Sequence, residues 1–138
     1  TNDNNQHTRI RIRKIISEFK NNGLNKDKLF LTIKNLRSSN EAVSFYVQQN
    51  IALNTFFNEK KNELLLNKNF FDQPYEIVLR SLGDSIKKIG KMYNLVRGKK
   101  IRVILKKYQE NNLHKETLGG CIIKKVNQTV ILHKEKQF

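Results

Sequence analysis

The sequence predicts a mainly α-helical chain, bundle-like over residues 9–111, that closes in a small C-terminal β-hairpin and tail over residues 112–138. The class is α+β overall. Three observations predict it. Apolar residues recur at helical spacing in several segments before Asn111. Start signals precede those segments, notably the capping-box spacing from Ser38 to Glu41 and the run Asp72-Gln73-Pro74. After Asn112 the pattern changes to short β-branched runs around a turn.

Residues 1–8, TNDNNQHT, are polar and read as irregular, because Asn and Asp bond their own backbone and favour turns. Thr8 is placed to cap a helix over Arg9–Lys20, with Ile12, Ile15, Ile16 and Phe19 on one side. That helix would set Arg9 and Arg13 four residues apart on one face, with Arg11 between them. Two guanidiniums so placed repel unless solvent or an anion separates them. A solvated helix start is the bland reading and a phosphate-matching fork the sharper one.

Asn21-Asn22-Gly23 stops the helix, Gly23 being free to turn left-handed. Asn25 caps a short second helix with Leu29, Ile33 and Leu36 as its stripe. The capping box at Ser38 opens a third, running to about Phe57 through Val43, Tyr46, Val47 and Leu53. These three are expected to pack together with their aromatics in the core. Glu63–Phe71 suits a short strand or extended connector, interrupted by an Asn-Lys-Asn turn.

A helix from Pro74 to about Tyr93 follows, with Val78, Leu82, Ile86, Ile89 and Met92 inward. Gly83 and Gly90 each weaken it by about 1 kcal/mol relative to Ala, and it can end near Gly90. Beyond a loop over 94–98, Lys99–Glu110 is helical with Ile101, Ile104, Leu105 and Tyr108 inward. Cys121-Ile122-Ile123 and Val130-Ile131-Leu132 then flank a turn at Asn127-Gln128, with Gly119-Gly120 as a bend or bulge at the strand entry.

The formal charge is +15, from 27 basic and 12 acidic residues, which implies an anionic partner, nucleic acid before membrane. Codon bias toward Lys, Asn and Ile would raise the charge without any partner. Clustering argues for one. Lys87, Lys88, Lys91, Arg97, Lys99, Lys100, Arg102, Lys106 and Lys107 fall in a stretch without an acidic residue. A merely solvated face intersperses Glu to limit self-repulsion. These nine and Arg11 are the candidate nucleic-acid-binding residues. No apolar run approaches the roughly 18 residues of a membrane span, and a membrane-surface helix would need Trp, Phe or Leu opposite its lysines. The lone Cys121 gives no disulfide framework or metal cluster and fits a reducing, cytoplasmic setting. His7, His114 and His133 are isolated and form no triad spacing.

The run Thr1–Arg13 resembles a signature of bacterial tRNA(Ile)-lysidine synthetases, in which a DPSN-type turn, four variable residues and an aromatic precede Arg-x-x-x-Arg. Thr1-Asn2 would end that turn, His7 departs from the aromatic, and Arg9 and Arg13 match the arginines. The stretch PYEIVLRSLGDSIKKIGKMYNLVRGKKIR from Pro74 and the ending TLGGCIIKKVNQTVILHKE are similar to the C-terminal half of the same enzymes. Between these three places the likeness is compositional.

The resemblance implies an enzyme that activates the wobble cytidine of an isoleucine tRNA (CAU anticodon) with ATP and magnesium and then attaches free lysine, a C–N ligation. It implies that residues 1–8 end the loop joining a catalytic ATP-pyrophosphatase domain. It places Asn2, Arg9 and Arg13 beside the active site. The SGGxDS phosphate loop of that domain is absent from the sequence. The chain is therefore expected to be a fragment without catalytic residues, metal or cofactor of its own, inactive alone and holding tRNA. A non-enzymatic basic helical DNA- or RNA-binding module is the alternative.

Overall fold

The computed structural model describes residues 2–23, 25–91 and 98–136, with side chains from Gln6 onward. It divides into two compact units, Thr1–Glu41 and Ala42–Phe138.

The first unit holds α1 (Asn2–Asn21) and the N-terminal part of α2 (Lys26–Asn54). Gly23, at φ 87°, ends α1 as expected, its N–H donating to the Lys20 carbonyl at 3.1 Å. Asn25 caps α2 through Oδ1, which accepts from the Lys28 N–H at 2.8 Å. The start of α1 differs from expectation. Residues 2–8 are helical instead of a motif loop, and Thr8 is interior instead of a cap. No Pro or Gly separates them from the apolar turn behind, and adding residues to a nucleated helix costs far less than nucleating one.

A second correction concerns Ser38. No boundary exists there, and the two expected helices are one. The stripe Leu29, Ile33, Leu36 runs in phase into Val43 and Val47. A capping box stabilises a start only where the chain turns, and nothing between Asn25 and Asn54 turns it. The helix also stops earlier than expected. Thr55-Phe56-Phe57-Asn58 forms strand β1, consistent with the β-preference of Thr and Phe. Phe19, Tyr46 and Phe57, expected in a core, are exposed.

The second unit is built on a five-stranded antiparallel sheet, not a hairpin alone. Its order is β1 (Thr55–Asn58), β2 (Glu63–Leu66), β5 (Thr129–Lys134), β4 (Cys121–Val126), β3 (Lys115–Leu118). The expected hairpin is β4–β5, turning at Asn127. Gly119-Gly120, at φ 59° and 74°, is the two-residue turn of a further hairpin, β3–β4. Pairing of β2 with β5 joins the ends of the unit.

Alternation sends Leu64, Leu66, Val130, Leu132, Cys121 and Ile123 to one face, where three helices seal them. These are α3 (Lys68–Phe71), α4 (Tyr75–Gly90) and α5 (Gly98–Gln109). The expected Asn-Lys-Asn turn is the start of α3, capped by Asn67 Oδ1, which accepts from the Phe70 N–H at 3.1 Å. Asp72 does not cap α4. It is the C-cap of α3, and Pro74, extended at ψ 142°, leads into α4 with no side-chain cap. The inward residues Val78, Leu82, Ile86 and Ile89 are buried, and the helix ends at Gly90, before Lys91 at φ 53°. Met92 and Tyr93, expected in its last turn, lie outside the described residues.

The end of α5 is a Schellman closure, with Asn111 at φ 53°. The N–H of Asn112 donates to the Lys107 carbonyl at 2.8 Å, and that of Asn111 to the Tyr108 carbonyl at 3.2 Å. Buried Asn50 ties α2 to this core. Its Nδ2 donates to the Phe70 carbonyl at 3.2 Å and to Ser81 Oγ at 3.1 Å, while Oδ1 accepts from Asn54 Nδ2 at 2.8 Å.

The other face of the sheet carries two cross-strand rows. Phe56, Leu65, Ile131, Lys124 and Lys115 form one, and Asn58, Glu63, His133, Ile122 and Thr117 the other. Among the described residues no helix is long and apolar enough to cross a membrane.

Candidate nucleic-acid interface

Helices α4 and α5 run antiparallel across the core. Ile101 Cδ1 abuts Gly83 near the start of α5, and Leu105 lies beside Val78 a turn later. The end of α4, with Lys87, Lys88 and Lys91, therefore lies at the same end of the pair as Lys99 and Lys100. Burial of Ile101, Ile104 and Leu105 fixes how α5 rotates and leaves Lys99, Lys100, Arg102 and Lys106 exposed. Lys88 and Lys91 are exposed and Lys87 half-buried. Arg97, part of the expected cluster, lies outside the described residues.

The acid-free stretch seen in sequence is not acid-free in space. Lys107 Nζ is ion-paired with Glu116 Oε1 on β3, both side chains about two-thirds buried. Lys106 Nζ stands 3.8 Å from Glu110 Oε1, an exposed pair one helical turn apart. Lys88, Lys91, Lys99, Lys100 and Arg102 have no carboxylate within ion-pair distance among the described residues. Their charge is available to an anion. Lys107 is held by the fold.

Next to Lys107 an aromatic contact anchors the C-terminal end of α5. The rings of Tyr108 and Phe71 stack at 3.9 Å between centroids and 20° between planes, and Lys125 Nζ lies 4.7 Å from the Tyr108 centroid. Lys125 also donates to Asn111 Oδ1 at 2.8 Å. Burial, and then the charge of Asp72, raise the Tyr108 phenol above its ordinary value. These contacts fix the axis on which the free lysines are presented.

In the first unit, α1 presents Arg9, Arg11 and Arg13 to solvent. Arg9 and Arg13 are one turn apart, as the sequence spacing implies. Asn2 is in the same helix, its side chain outside the described set. His7 and His114 are exposed. Among the described residues no group of three or more His, Cys, Asp or Glu is arranged to hold a metal.

The sheet's second face escaped the sequence reading. Lys124 and Lys125 are adjacent, yet pleating sends Lys124 to the open face and Lys125 to the helices. Only the alternation of Cys121-Ile122-Ile123-Lys124-Lys125 could have signalled it, and a run of three apolar residues blurs that signal. Comparison with models of protein families, with curated proteins and with solved structures finds no match to this chain.

Proposed function

We propose that this chain is the tRNA-holding region of a tRNA(Ile)-lysidine synthetase, the cytoplasmic ligase that uses ATP and magnesium to join free lysine to the wobble cytidine of an isoleucine tRNA. One structural observation carries the holding role. At one end of the α4–α5 pair, Lys88, Lys91, Lys99, Lys100 and Arg102 are exposed and, among the described residues, in no ion pair, on helices whose other sides are locked in the core. The assignment to this enzyme rests on the sequence likeness at Thr1–Arg13, at Pro74–Arg102 and in the strand-forming tail. Cationic side chains on a rigid surface meet phosphates and position an RNA without reading much of its sequence. Chemistry at the cytidine and ATP would belong to the catalytic domain, with Arg9 and Arg13 reaching toward it.

Binding of an isoleucine tRNA transcript with a CAU anticodon, followed across salt concentrations, tests this reading. Changing Lys99, Lys100 and Arg102 together to Gln should weaken binding and reduce the log–log salt slope by roughly 0.7–0.9 for each phosphate no longer neutralised. Unchanged affinity and slope would mean that these charges are only a solvated face.

A further inference from the structure

The open face of the sheet differs from the basic helical end. It combines apolar surface with lysine. Phe56 is 68% exposed, and Leu65, Ile131 and Ile122 beside it are half-buried although α3, α4 and α5 all lie on the other side. Lys124 stands within this strip and Lys115 at its edge. Beside them a groove of about 1040 Å³ is lined by Ile122 and His133 and rimmed by Lys61 and Lys136. Two carboxylates, Glu63 and Glu135, line the same groove, and Lys61, Lys115, Lys124 and Lys136 are in no ion pair among the described residues.

We propose that this face binds single-stranded RNA, with bases lying on Phe56 and the aliphatic strip and phosphates held by the surrounding lysines. Three features select that ligand. An excess of unpaired lysine calls for an anion. The core of a protein–protein interface is depleted of lysine, whereas Lys124 sits inside this strip. A flat apolar surface with a free phenyl ring is matched by the faces of bases, which are open only in unpaired nucleotides. A duplex conceals those faces and offers phosphate alone, which suits the helical end better. The inference rests on the nucleic-acid reading above and assigns unpaired and paired RNA to different surfaces.

The test uses the full chain with two fluorescein-labelled probes at one ionic strength, a 12-nucleotide oligouridylate and a 12-base-pair RNA duplex. Phe56→Ala should weaken oligouridylate binding roughly ten-fold and leave duplex binding within about two-fold. Lys124→Gln should act in the same direction. The Lys99, Lys100 and Arg102 triple change should weaken the duplex most. In the wild type, photocrosslinks from 5-iodouridine should map to β1, β2 or β5. Loss of neither probe with Phe56→Ala, equal loss of both, or crosslinks confined to α5 would overturn the proposal while leaving tRNA holding in place. Failure of the wild-type chain to bind either probe would overturn both.

Discussion

The carbonyl oxygen of Gly119 lies 1.9 Å from the point a Cβ on Gly90 would occupy. The last residue of α4 therefore rests directly on the β3–β4 turn, with no room for a side chain. The turn itself needs Gly119 and Gly120 at positive φ. Helix end and turn constrain each other, which fixes the level at which Lys87, Lys88 and Lys91 leave the core.

Gly90→Ala should accordingly destabilise the fold by about 3 kcal/mol, the upper end of the usual cost of overpacking, because a backbone oxygen cannot step aside. Gly83 provides the control. Its added Cβ would meet Ile101 Cδ1 at 2.9 Å, the free end of a flexible side chain. A gain in helix propensity of about 1 kcal/mol offsets that adjustment. Gly83→Ala should stay within about 1 kcal/mol of wild type in urea unfolding. Equal losses for the two variants would contradict the geometry.

Cys121 should be inert in the native state. Its Sγ–H donates to the Ile86 carbonyl at 3.1 Å, and burial pushes the thiol up to about 11, opposed by a backbone hydrogen bond at Gly90. The unfolded chain releases this proton from about pH 9, while the folded chain keeps it until about pH 11. Below pH 9 the contribution is complete. Between the two values the unfolded state binds fewer protons, so stability falls as pH rises. Iodoacetamide labelling at pH 8 should follow global unfolding, and Cys121→Ala should remove this part of the alkaline loss. Fast labelling of the folded chain would refute the closed environment.

Lys107 and Lys99 should behave differently although both belong to the same basic run. Lys107→Gln breaks the pair with Glu116 and should cost about 0.5–1 kcal/mol, as partly exposed pairs do. It should leave the salt slope of tRNA binding unchanged. Lys99→Gln should reduce that slope by roughly 0.7–0.9 with no effect on stability. Chemical denaturation and a salt titration on the same two proteins separate the effects. A reversed pattern would mean that the Glu116 pair opens when RNA binds.

The arginines of α1 make a prediction about catalysis. Purified alone, the chain should release no pyrophosphate from ATP above a buffer control, with tRNA, lysine and magnesium present. Under the function proposed above, Arg9→Ala or Arg13→Ala should lower kcat once the chain is joined to a catalytic domain. Removing Lys99, Lys100 and Arg102 should instead raise KM for tRNA, the signature of weakened uniform binding. An effect of the Arg9 and Arg13 changes on KM alone would place them with the tRNA-holding residues.

Several elements were legible in the sequence because their information is local. The stripe Val78, Leu82, Ile86, Ile89 declares one buried side of a helix whatever that side meets, and so does Ile101, Ile104, Leu105. Gly23 and Asn127 mark turns through backbone angles that their own residue types allow. The β4–β5 hairpin needs two runs and the turn between them, and nothing distant. The +15 charge, likewise, is a property of composition and is known before any fold.

Tertiary structure alone decided the rest, because each remaining feature depends on a partner far along the chain. Capping chemistry at Ser38 is real, yet an in-phase apolar stripe carries the helix straight through it. The short strands Thr55–Asn58 and Glu63–Leu66 hold too few residues to declare a period, and they become a sheet only when Leu64 and Leu66 meet Leu132 and Val130. Whether a lysine is free or neutralised is likewise non-local. Glu116 reaches Lys107 across the gap between strand and helix, while Lys99 has no such neighbour among the described residues. Lys124 and Lys125 show the limit most plainly. They are adjacent and identical in kind, so the pleat sends them to opposite faces, but which of the two faces the helices cover, and so which lysine stays open, is decided only by tertiary packing.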